Sequence, residues 1–159
     1  MNDNPMKKVV DFLRELQQNN CSEWFHAHKA EYETVKSYFS EFALQLIAGV
    51  GAFDESVRGL ELKDCTYRIN RDIRFSADKS PYKTHMGVFI APGGKKSMHA
   101  GYYFHVGTGD GEGYPHAHML AAGNYCYDPK SVKILREDIY YGWDSFRQEV
   151  LNAADPSFV

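Results

Sequence analysis

The sequence predicts an α+β fold: N-terminal helices including one long helix, a mainly antiparallel sheet, then a C-terminal helix or helices. Three observations carry this. Apolar residues recur at helical spacing before Gly49. From Thr66 onward the period drops to two, and the alternating stretches are joined by glycine-rich links. Helical spacing then returns after Asp128-Pro129. Helices and strands segregated in this way argue against βαβ winding. An aromatic content of 14%, with eleven Tyr and ten Phe, adds weight to the sheet, because such rings suit large packed faces.

The first helix is expected over residues 5–17. Asn4 is placed to cap it, Pro5 suits its first turn, and Val9, Phe12, Leu13 and Leu16 make one apolar face. Ser22 reads as the next N-cap, with Glu23 near the positive helix end. Phe25, His28, Tyr32, Val35, Phe39, Phe42 and Leu46 then step by three and four. This predicts one helix from 22 to 49, broken by Gly49 and Gly51 and about 42 Å long at 1.5 Å per residue. Its aromatic stripe reads as core rather than coiled coil.

A strand is expected over Thr66–Phe75. Tyr67, Ile69, Ile73 and Phe75 lie on one side and Arg68, Asn70, Asp72 and Arg74 on the other, with Arg71 an anomalous cation on the apolar side. Tyr82–Ile90 and His99–Val106 read as further strands, with a fourth around 117–127. A helix beginning after Asp128 carries Val132, Leu135 and Ile139 on one face, and a short last helix is expected over 144–153.

The 159 residues fit one domain with a sizeable core. No stretch approaches the roughly 20 apolar residues of a membrane span, and the N-terminus lacks a secretory apolar core. Cys21, Cys65 and Cys126 are odd in number and far apart, which excludes a disulfide framework or a metal knuckle and makes a reduced cytoplasmic compartment the simplest assignment. A net charge of −3 argues against general nucleic-acid binding.

Against that charge, Arg68 to Lys83 stands out. It holds five cations (Arg68, Arg71, Arg74, Lys79, Lys83) and two acids (Asp72, Asp78) in sixteen residues, a local +3 that leaves −6 for the rest. Positive charge gathered against the global sign marks an anion site. Arginine forks grip phosphate or carboxylate through two hydrogen bonds, and lysine adds a point charge. The candidate ligand-binding set is Arg68, Arg71, Asp72, Arg74, Lys79, Tyr82, Lys83 and His105. A structural ion-pair network is the competing reading, with Asp72 and Asp78 tying down Arg71 and Arg74; the two are compatible.

Seven histidines offer little more. His116 and His118 have the HxH spacing of a metal pair, but a Pro/Gly-rich turn suits a solvated loop better, and no metal ligand is assigned. His105, among tyrosines, reads as a hydrogen-bonded core histidine. No nucleophile elbow or Walker lysine is present, and Gly107 to Gly111 with Gly113 reads as a hairpin turn. Tyr102-Tyr103-Phe104 resembles a base-stacking strand only without its basic face, so core packing is the better account. No catalytic residue and no cofactor is named from spacing.

The residues also carry a family resemblance. Phe12-Leu13, Asn19-Asn20, Trp24-Phe25 and Lys29 to Tyr32 form an opening motif, and Arg68 to Thr84 a long central one. Gly101-Tyr-Tyr-Phe-His105, Ala122 to Pro129 and Leu135-Arg136 complete it. Together they resemble the DUF2461 family of bacterial and fungal proteins over nearly the whole chain. The resemblance implies a single α+β domain over 1–159, without the further C-terminal segment that members typically carry, and it brings no activity with it. The expected function is therefore binding of a small anionic, phosphate-bearing ligand at the Arg68–Lys83 segment. A histidine-held metal hydrolase and a non-enzymatic interaction protein are the alternatives, and the oligomeric state stays open.

Overall fold

A computed structural model describes residues 4–112, 114–124 and 127–153. The chain divides into two compact units, one up to Gly123 and one from Asn124. In chain order it is α+β: N-terminal helices including a long one, a three-stranded antiparallel sheet, then two further helices.

Helix α1 spans Pro5–Gln18 and starts as its sequence dictates. The Asn4 side chain accepts from the Met6 N–H at 3.0 Å, and Pro5 occupies a position whose N–H would otherwise be orphaned. Val9, Phe12, Leu13 and Leu16 are all but inaccessible, and each adds roughly 1.5–3 kcal/mol through burial. The expected single helix over 22–49 is two: α2, Ser22–Ala27, and α3, Lys29–Phe53. The break is at His28 (φ −103°, ψ 18°), whose ring stacks on Trp24 at 4.0 Å and whose Nδ1–H donates to the Trp24 carbonyl at 2.8 Å. The same carbonyl also accepts the His28 N–H at 3.0 Å, so the ring bond adds to the last turn of α2 rather than replacing it. Ser22 is not an N-cap. That position is Cys21, which makes no capping bond, and Ser22 is the first helical residue.

Gly49 and Gly51 do not end α3 either. The helix continues to Phe53 and absorbs about 1 kcal/mol per glycine because its other face is anchored by Val35, Phe39, Ala43 and Ile47. A single 3₁₀ turn at Glu55–Val57 and the short α4, Leu62–Cys65, follow.

The sheet is β1 (Met86–Ile90), β2 (Gly101–Val106) and β3 (Met119–Gly123), in that order. Met86 pairs with Val106 and Gly101 with Gly123. The fourth expected strand is thus β3, shorter than 117–127; residues 125 and 126, with Cys126, lie outside the described set. Met86, Val88, Ile90 and Val106 point into the core shared with α1 and α3. The opposite face carries Gly87, Tyr103 and His105, and a methyl at Gly87 would meet the Tyr103 hydroxyl at 3.0 Å.

The largest correction concerns Thr66–Phe75, which is not a strand. Only two isolated bridges form, Thr66 with Val88 and Asn70 with Tyr82. The Arg71 N–H reaches the Pro81 carbonyl at 2.9 Å and the Lys83 N–H the Ile69 carbonyl at 2.8 Å. Pro81 has no N–H to return to the Arg71 carbonyl, so the pairing ends on that side and the chain beyond Arg71 finds no neighbour. Residues 72–80 leave the sheet as a loop, and Phe75, expected on an apolar side, is 96% exposed. Tyr82, accordingly, lies in a bridge ahead of β1 rather than in a strand.

In the second unit Asp128 caps α5, Pro129–Tyr141, by accepting from the Lys130 and Ser131 N–H groups at 2.9 and 3.1 Å. Helix α6, Trp143–Ala153, follows after Gly142. No residue of α5 is buried, so Val132, Leu135 and Ile139 form a half-exposed face.

Candidate functional site: a cation-lined aromatic cleft

The loop between Arg68 and Lys83 is built by its own side chains. Arg71 is only 26% exposed, which suits the anomaly in the pattern. Its guanidinium pairs with Asp78 and donates to the Ser80 carbonyl at 3.1 Å and to Ser76 Oγ at 3.4 Å. The Ser80 N–H and hydroxyl, and then Arg71, hold the Asp78 carboxyl down at about 2. Asp72 takes a two-point bond from Arg74, Nε at 2.9 Å and Nη2 at 2.6 Å. Lys79 Nζ caps the Ile73 carbonyl at 3.0 Å, and Lys83 Nζ caps the Arg68 carbonyl at 2.8 Å. The network expected from sequence therefore forms. It engages four of the five cations with the loop itself.

Arg68 is different. Its guanidinium has no hydrogen-bond or ion-pair partner among the described residues, and it opens onto a cleft of about 550 Å³. Helices α2 and α3 supply one wall (Phe25, Lys29, Tyr32, Lys36, Phe39), and the extended stretch Thr66–Asn70, with Tyr82 and Met86, supplies the other. The floor is aromatic: Phe25 stacks on Tyr82 at 4.0 Å and packs on Tyr32 at 4.9 Å. Burial, and then Glu33, push the Tyr32 hydroxyl up to about 12, so it stays a proton donor. Lys29 has no partner among the described residues. Lys36 pairs with Glu33 at 3.3 Å and lies over the Tyr32 ring at 5.8 Å. Burial, and then Arg68, lower the pKa of Lys83, as expected of cations crowded near one another.

Asn20 locks this geometry from outside. Its amide accepts from the Tyr82 N–H at 3.1 Å and donates to the Tyr82 carbonyl at 3.0 Å, joining the α1–α2 turn to the cleft wall. In the sequence Asn20 stood only as part of the opening motif, with no role given to it. The available signal was an amide just past a helix end, able to pair with a peptide group in both directions.

His105 belongs to another cluster, on the sheet face away from the core. It is fully buried and hydrogen-bonded as expected, with Nε2 bonded to the Ala117 carbonyl at 2.7 Å and Nδ1 to the Tyr103 hydroxyl at 3.1 Å, but on this face and not in the main core. His85 lies beside it, rings 5.3 Å apart, with Nε2 bonded to the Tyr114 hydroxyl at 3.1 Å and a buried Nδ1 that has no partner among the described residues. Burial, then His105 and Lys83, depress His85 to about 4, so it is neutral at ordinary pH. Thus the structure brings Arg68 and Tyr82 to one cleft. It sets Arg71, Asp72, Arg74 and Lys79 in the loop and His105 on the other face. His116 and His118 lie in the β2–β3 connection, where His118 Nδ1 accepts from the Gly107 N–H at 3.3 Å. Gly113 of that connection lies outside the described set. Among the described residues no three His, Cys, Asp or Glu side chains are grouped to hold a metal, and no helix is long and apolar enough to cross a membrane.

Fold and site together define an α+β protein with a helical layer on an antiparallel sheet and a cationic, aromatic-floored cleft. The chain belongs to the DUF2461 family, whose model, described as a conserved hypothetical protein, matches residues 8–158. Comparisons with curated proteins and with solved structures each give no match.

Proposed function

We propose that this protein binds a small phosphate-bearing anion in the cleft beside Arg68. The observation that carries the reading is Arg68, which lines the cleft with Lys29, neither side chain having a hydrogen-bond or ion-pair partner among the described residues. A guanidinium without a carboxylate partner retains its bidentate capacity for phosphate. In this reading Arg68 is the primary contact, Lys29 and Lys36 add charge, Tyr82 shapes the wall, and Lys83 holds the Arg68 backbone. Arg71, Asp72, Arg74 and Lys79 hold the loop that presents Arg68, and His105 supports the sheet.

The test is thermal unfolding with and without inorganic phosphate at fixed ionic strength. Phosphate is expected to raise the melting temperature of the wild type and of Arg74→Ala, and to leave Arg68→Ala unmoved. A wild type that phosphate does not stabilise, or an Arg68→Ala variant stabilised as much as wild type, would overturn the reading.

A further inference from the structure

We infer that the occupant of the cleft is a phosphate monoester of an aromatic or heteroaromatic body, an inference that rests on the anion reading above. Charge comes first. Three cations (Lys29, Lys36, Arg68) and one carboxylate (Glu33) line the cleft, a net of +2 with histidine neutral. A phosphate monoester carries about −1.5 to −2 near pH 7, so one such group balances the lining. A diphosphate, triphosphate or polyanion would leave negative charge uncompensated.

Size comes second. A bare phosphate occupies on the order of 100 Å³, about the space of three liquid waters at ~30 Å³ each. The cleft offers about 550 Å³, well within the ordinary range for an organic ligand. Most of it would stand empty around an inorganic ion.

The wall comes third. Away from the cations the apolar part of the lining is Phe25, Phe39, Leu62, Ile69 and Met86, beside the Phe25–Tyr82 stack, and Ser40, Thr66 and Asn70 are polar members of it. Rings favour rings in offset or tilted contact, whereas a bare sugar phosphate has no aromatic face to set against this apolar surface. The Tyr32 and Tyr82 hydroxyls, neither hydrogen-bonded to a described residue, join Ser40, Thr66 and Asn70 as polar contacts that orient such a body.

The experiment is isothermal titration of the full chain at pH 7.5 and constant salt. The probes are inorganic phosphate, ribose 5-phosphate, phenyl phosphate, adenosine monophosphate and adenosine diphosphate. Phenyl phosphate and adenosine monophosphate are expected to bind about tenfold or more tighter than phosphate and ribose 5-phosphate, with the diphosphate no tighter than the monophosphate. Arg68→Ala is expected to weaken all of them. If phosphate binds through Arg68 but the aromatic esters gain nothing over it, the aromatic assignment falls and the anion reading stands. A diphosphate that binds tenfold tighter than the monophosphate overturns the charge argument. If no probe binds, the anion reading itself falls.

Discussion

Replacing His85 by glutamine tests how the sheet's second face is held. The folded protein keeps His85 neutral, with its pKa at about 4 against an ordinary 6.5, through burial and then the nearby His105 and Lys83. A histidine depressed in the fold is protonated first in the unfolded chain. Its contribution is therefore complete above pH 6.5 and is lost as pH falls from 6.5 towards 4. That gap corresponds to roughly 3 kcal/mol at 1.36 kcal/mol per pH unit, and partial solvent access trims it to about 2 kcal/mol. His85→Gln retains an N–H for the Tyr114 hydroxyl but cannot titrate. Urea unfolding followed by tryptophan fluorescence at several values between pH 7.5 and 4 gives both stability curves. The wild type is expected to lose about 2 kcal/mol more than the variant over that range. His105, also lowered by burial, is present in both proteins and drops out of the difference. Parallel curves would refute the placement of His85.

Three other outcomes follow from the geometry. Asn20→Ala breaks both bonds to the Tyr82 peptide and is expected to cost about 1–3 kcal/mol in urea unfolding while also weakening phosphate binding, because the cleft wall loses its tether. Asp78→Asn removes the carboxylate that pairs with Arg71, so hydrogen exchange at the Arg71 and Lys83 amides is expected to accelerate with little change in global stability. Gly94 sits at φ +79°, and an added Cβ would lie 2.8 Å from the Asp64 carbonyl oxygen; Gly94→Ala is expected to destabilise by about 1–3 kcal/mol, and a neutral result would contradict that backbone path.

What could be read from sequence was whatever local spacing decides. Helix α1 was legible because its cap, its proline and its stripe all fall within fourteen consecutive positions. The α2–α3 break was not, because it is a turn of the backbone at the single residue His28, inside an apolar stripe whose three-and-four spacing runs on unbroken. The Thr66–Phe75 alternation was real but misleading: a strand also needs a neighbour, and Pro81 denies it one beyond two rungs. The basic segment was visible as charge. Which cations it keeps for itself depends on how the loop folds back through Arg71, Asp78 and Ser80. The cleft's aromatic floor was illegible for a simpler reason, since Phe25 and Tyr82 meet only through tertiary packing.

The central claim is that Arg68, and not the Arg74–Lys79 turn, receives an anion. Amide and guanidinium NMR shifts during titration with inorganic phosphate test it most directly. Saturable shifts are expected at Arg68 Nε–H and at the amides of Lys29, Asn70 and Tyr82, with Arg74 and Lys79 little changed. Shifts centred on Arg74 to Lys79, or scattered over the surface without saturation, would contradict it.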